Sequence, residues 1–177
     1  MNMHRERKAI AAGTMFGRIS IVLASVATIA LLGGSAALAS PIQRYAFSFS
    51  HSDTISCAQF NPAWTFSDNF TDFYDVSGQA VLDNSGNVVS LLEHWDHVSN
   101  DVNSATGFTL HEHNHFLVKV NFVAGTFTVD GVQGTMQRPG VGIVIHEAGH
   151  RVYDASGLVT SGGPSGSSDE DFCRAIA

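Results

Sequence analysis

The sequence predicts an all-β fold: an antiparallel meander of about seven to nine strands, closed or nearly closed into a barrel, after an N-terminal signal segment. Three observations predict it. Apolar and polar residues alternate with period two through much of the chain. Clusters of Gly, Asn, Asp and Ser separate those runs at hairpin spacing. Little of the sequence reads as helix, and no linker is long enough to divide two domains. Closure into a barrel removes exposed strand edges, which makes it the economical arrangement for sequence-adjacent hairpins.

Residues 1–39 read as a signal peptide. Arg5, Arg7, Lys8 and Arg18 form a basic leader, Ile19 to Ala37 is apolar or small, and Ala37-Leu38-Ala39 has the small-x-small form of a cleavage site. An uncut membrane anchor is the alternative, since the run is about long enough to span a bilayer. The many Ala, Gly and Ser residues favour cleavage. Residues 40–177 then form a single secreted, extracellular domain of sufficient length for its own core. The leader takes four of the nine basic residues and one of the sixteen acidic ones. The remainder carries a formal charge of −10 with histidines neutral. That excludes a nucleic-acid partner held by phosphate attraction and argues against docking on an anionic membrane.

The strands follow in order. Tyr45, Phe47 and Phe49 alternate with Ala46, Ser48 and Ser50, and Trp64, Phe66, Asp68 and Phe70 alternate with Thr65, Ser67 and Asn69. Gln79–Asp83 and Val88–Val98 flank the turn Asn84-Ser85-Gly86-Asn87. Asn100 to Gly107 joins the latter strand to Phe108–Phe122, and Ala124-Gly125 turns into Phe127, Val129 and Val132. Val141–Asp154 comes next, and Ala155-Ser156-Gly157 leads to Leu158–Thr160. A loose Gly/Ser-rich loop is expected near 161–168, then a final short helical turn within Asp169–Ala177. The expected core is Trp64, Phe66, Phe70, Val81, Val89, Phe108, Phe116, Val118, Val120, Phe127, Val129, Ile143, Ile145 and Val152.

Two cysteines lie beyond the leader, Cys57 and Cys173. In an exported chain they are expected to pair, closing nearly the whole domain.

Two histidine patterns bear on chemistry. His146-Glu147-Ala148-Gly149-His150 fits H-E-x-x-H, which binds zinc when a helix brings both imidazoles to one face beside a Glu base. Gly140, Gly142, the β-branched run Ile143-Val144-Ile145 and Gly149 argue for an extended segment with a bulge or kink at Ala148-Gly149. In a strand the two histidines stand about 13 Å apart and Glu147 faces away from His146. A zinc-dependent hydrolase is therefore the least favoured reading.

The second pattern is His111, His113 and His115, which alternate along one strand and so share a face. Glu93-His94-Trp95-Asp96-His97 lies on the expected partner strand. His94 or His97 joins the three according to the register. Such a cluster suits zinc, copper or nickel. The plain alternative is a solvated polar face.

The ordered set Cys57, Asn103-Ser104-Ala105-Thr106-Gly107, Glu112-His113-Asn114-His115-Phe116, Gly140-Val141-Gly142-Ile143-Val144, Ala148-Gly149, Arg151-Val152-Tyr153-Asp154 and Asp171-Phe172-Cys173-Arg174-Ala175-Ile176-Ala177 resembles a family of short exported actinobacterial proteins of unknown activity. The resemblance implies export, a β-rich fold and a cysteine pair. It implies no reaction, and no catalytic residue or cofactor is expected. The expected function is a non-catalytic binding or envelope-associated module, holding a small apolar ligand inside the barrel or a cell-envelope component. Metal binding by the His cluster is the alternative.

Overall fold

The computed structural model describes residues 42–163 and 167–177; the leader and its cleavage point lie outside them. Seven strands form one sheet: β1 (Ile42–Ser56), β2 (Ser67–Leu82), β3 (Val88–Asn103), β4 (Thr109–Asn121), β5 (Thr126–Arg138), β6 (Gly142–Asp154) and β7 (Gly157–Gly162). They pair antiparallel in sequence order, as hairpin-connected strands do. A single 3-10 turn, Cys57–Gln59, follows β1, and helix α1 (Asp169–Ile176) ends the chain.

The sheet is open, which corrects the expected closed or nearly closed barrel. β1 and β7 are its two edges. The reason lies in β7, whose six residues pair only with His150–Asp154 before the chain leaves for α1. The sheet nevertheless curls. Helix α1 packs against β2, β3 and β6. In a flat sheet β2 and β6 lie about 19 Å apart, whereas an eight-residue helix is about 12 Å long. Only a curved sheet lets one short helix touch both.

The expected single turn near the C-terminus is a full two-turn helix. Ser168 caps it: its hydroxyl accepts from the Asp171 amide at 3.4 Å, and Asp171 Oδ2 accepts from the Ser168 amide at 2.9 Å. Three acidic residues in the first turn and Arg174 in the last complement the helix dipole. Phe172, Ala175 and Ile176 pack on Leu110, Met136 and Ile145. Cys173 is joined to Cys57, tying the helix to the end of β1. Asn103 Nδ2 donates to the Ile176 carbonyl at 3.1 Å, and the Arg138 guanidinium donates to the Ala175 and Ala177 carbonyls at 3.1 Å each.

Along β3 the odd residues Leu91 to Asn103 are buried, and along β4 the even residues Leu110 to Val120 face the same side. That inner face is mixed. Among apolar Phe70, Val76, Trp95 and Val118 it buries Asp68, Asp72, Glu93, His97, Ser99, Asp101, Asn103, Glu112, Asn114, Glu147 and Arg151. Trp95, Leu110 and Met136 join the core, while Ile143 is 59% exposed where β6 begins beside a glycine turn. Phe70, Val118, Val120, Val129 and Ile145 are buried as expected.

β5 carries a bulge. Its pairing advances from Val132 to Gly134 while β6 advances one residue, from Ala148 to Glu147, so Gln133 is the extra residue. Of the bulge or kink expected at Ala148-Gly149, the extra residue belongs to the facing strand, opposite Ala148 and Glu147, while the backbone of Gly149 is itself irregular. Gly149 answers a different need. Its φ is +138°, and a Cβ there would lie 1.9 Å from the Gly162 carbonyl oxygen.

Candidate functional site

The inner face holds a connected polar network. His97 Nε2 lies 3.1 Å from Asp72 Oδ1, and His97 Nδ1 lies 2.8 Å from Asn114 Nδ2. Asn114 Nδ2 also donates to Glu112 Oε1 at 2.7 Å, and Asn114 Oδ1 accepts from the Thr135 amide at 2.7 Å. The last contact orients the rest. A backbone N–H can only donate, so the Asn114 oxygen must face Thr135 and its NH2 must face His97 and Glu112. His97 Nδ1 is then an acceptor, and Nε2 carries the hydrogen aimed at Asp72. The bulge makes this possible, because the β4–β5 register skips from Glu112 to His115 and turns the Thr135 amide toward a side chain. The Tyr74 ring stacks on His97 with centroids 4.5 Å apart.

Two further buried carboxylates, Glu93 and Glu147, are also engaged. Glu93 accepts from the Tyr45 hydroxyl at 2.5 Å and from Trp95 Nε1 at 2.9 Å. Burial raises the Tyr45 hydroxyl above its ordinary pKa, and the hydrogen bond to Glu93 and the carboxylate's charge push it the same way. Glu147 pairs with Arg151 on the same side of β6, and its Oε2 accepts from the Ser167 amide at 3.0 Å. Arg151 bonds to Gln133 of the bulge as well. These groups hold the sheet's register and leave no exposed acid–base pair on this face among the described residues.

The H-E-x-x-H segment lies within β6. His146 and His150 are exposed, while Glu147 is buried on the opposite side. The geometry sets the two imidazoles apart from the carboxylate that would act as base.

The outer face collects the remaining sequence candidates. β3 pairs with β4 so that His94 stands opposite Leu117, Asp96 opposite His115, Val98 opposite His113 and Asn100 opposite His111. His94, His111, His113 and His115 therefore share the exposed face. His97 belongs to the inner face, away from them. His115 Nδ1 lies 2.7 Å from Asp96 Oδ1, and His150 Nδ1 lies 2.5 Å from Asp130 Oδ1. Carboxylate oxygens accept, so Nδ1 carries the hydrogen in both imidazoles and Nε2 is left to solvent. Asp130 sits below the usual carboxylate range, held there by the His150 hydrogen bond first and then by Lys119 at 3.0 Å. Among the described residues no three His, Cys, Asp or Glu side chains converge on one point fit for a metal ion.

A groove of about 780 Å³ opens on this face beside His111 and His113, walled by Thr135, Gln137 and the Pro139–Gly142 turn. Arg138 lines it too, but its guanidinium is held at the helix C-terminus and over the Phe108 ring, 5.2 Å from the centroid. Sequence reasoning found the two histidines and missed the groove, whose walls come from the β5–β6 turn. The doublet Pro139-Gly140 was the available signal. Comparison of the chain with protein-family models, with curated proteins and with solved structures finds no match in any of the three.

Proposed function

We propose that the protein is an exported, non-catalytic binding module, akin to the short exported actinobacterial proteins it resembles, and that it takes a small ligand or envelope component in the groove between β4 and the β5–β6 turn. The carrying observation is the contrast in availability. Both nitrogens of buried His97 are tied, to Asp72 and Asn114, whereas His113 and Gln137 face the groove beside apolar Val141, and His111, bonded at Nδ1 to Asn100, keeps Nε2 for a ligand. A few polar groups on a partly apolar wall is the usual make-up of a small-molecule site. The leader-like segment and the Cys57–Cys173 bridge support export. The many buried polar groups of the inner face favour a site for an apolar ligand outside the curl over one within it.

The test is amide chemical-shift mapping with a panel of small acyl, aromatic and sugar compounds. Shifts confined to residues 109–113 and 135–142, lost in Thr135→Trp, support the reading. Shifts clustering on the inner strands overturn it.

A second reading is metal binding through His94, His111, His113 and His115, favoured by their shared exposed face. It requires side-chain rearrangement before an ion finds three ligands. Zinc, copper or nickel would then raise the melting temperature at pH 7.5 and lose that effect near pH 5, as the imidazoles protonate.

A further inference from the structure

Six of the histidines described in the structure, His94, His111, His113, His115, His146 and His150, lie exposed on the outer face of three strands, β3, β4 and β6, with β5 between the last two. The fixed charges facing them are few. β2 contributes Asp75, which stands opposite Asp96 of β3. β4 contributes Lys119, β5 Asp130 and the end of β6 Asp154. At neutral pH the face is therefore negative, with four carboxylates against one ammonium. Six imidazolium charges reverse that sign.

We infer that this face is a docking surface for a linear polyanion, switched on as the medium turns acid. Imidazole is the side chain whose charge ordinarily changes between pH 5 and 8. The geometry converts that change into recognition. In His115 and His150 the Nδ1 hydrogen is already engaged by a carboxylate, so the added proton goes to the outward Nε2 and creates a new donor there. His111, His113 and His115 repeat along β4 at about 6.7 Å, a row suited to an extended chain of phosphate or carboxylate groups. A bilayer fits less well. The exposed apolar side chains are divided among separate places and form no single patch: Phe73 beside Val98 across β2 and β3, Val141 and Ile143 at the β5–β6 turn, and Phe122, Val123, Leu158 and Val159 near the hairpin turns at the other end. The surface extends beyond the groove and does not depend on the groove's occupant.

The experiment titrates the full domain with long-chain inorganic polyphosphate at pH 5.5 and 7.5. The expected result is binding at least about tenfold tighter at pH 5.5, weakening steeply with added salt. His94→Gln with His115→Gln and His150→Gln, all outside the groove, should remove most of the pH dependence and leave the melting temperature unchanged. Equal affinity at both pH values, no binding at pH 5.5, or a triple variant that binds as the parent does would overturn the inference. So would binding to phosphatidylglycerol vesicles without binding to polyphosphate. A small ligand found in the groove of a protein that ignores polyphosphate overturns this inference alone.

Discussion

His97 and His115, both on the β3–β4 hairpin, each stand beside an aspartate, Asp72 of β2 and Asp96 of β3, and they behave differently. His97 points inward, 7% exposed, with Asp72 on one nitrogen and Asn114 on the other. His115 points outward, with Asp96 on Nδ1 and solvent at Nε2. The residue types match, so the difference comes from the face each strand position takes. On the inner face polar groups complete one another and set the register. On the outer face the same groups keep a free atom with which to bind something else.

The largest expected effect comes from the tie that closes the inner face. Cys57→Ser with Cys173→Ser should cost about 4–5 kcal/mol by the loop-entropy model for a span of 116 residues, read by urea denaturation. A loss below about 1 kcal/mol would mean that α1 holds its place on the sheet without the bridge.

Next is the centre of the network. Asn114→Ala removes the partner of His97, Glu112 and the Thr135 amide at once. Leaving buried polar groups without partners should cost about 3 kcal/mol. Far-ultraviolet dichroism should keep its β signature while the midpoint falls. An unchanged midpoint would show that the network is ornamental to stability.

Tyr45 gives an effect that depends on pH. Its folded hydroxyl ionises above the unfolded value of 10.0. The stability it contributes is thus complete below pH 10 and is lost as pH rises beyond it, because the unfolded chain ionises first. Tyr45→Phe should lower stability by about 1–2 kcal/mol at pH 7 and flatten the alkaline limb. An alkaline limb of unchanged slope would contradict this.

The smallest effect belongs to the outer face. His115 is well exposed, and His115→Ala should shift stability by no more than about 0.5 kcal/mol. A loss comparable to that of Asn114→Ala would erase the distinction between the faces.

Much of this was legible beforehand. Period-two runs and the Asn84–Asn87 and Ala124-Gly125 turns located the hairpins, and alternation placed His111, His113 and His115 together. The bridge followed from the expectation of export and a cysteine count of two. Which face turns inward was not legible in β3, because both of its rows mix apolar and ionisable residues: Leu91, Glu93, Trp95 and His97 against Leu92, His94, Asp96 and Val98. Pattern reasoning looks for an apolar face, and here the buried face mixes apolar with polar residues. The strand that carries the extra residue was not legible either. Gly149 is a real signal, yet it answers the close approach of Gly162, whereas Gln133 carries no mark of a bulge in its side chain. The open edge escaped because closure depends on how far β7 runs, and its Gly/Ser-rich end does not say.

The most direct test of the two-face account is the tautomer of each histidine, read at pH 7.5 by long-range nitrogen–proton correlation on labelled protein. His97 should carry its hydrogen on Nε2 with Nδ1 bare, pinned there by Asn114 and Thr135, and His115 and His150 should show the opposite, with Nδ1 protonated and Nε2 bare. The same tautomer in all three, or a hydrogen on Nδ1 of His97, would contradict the account.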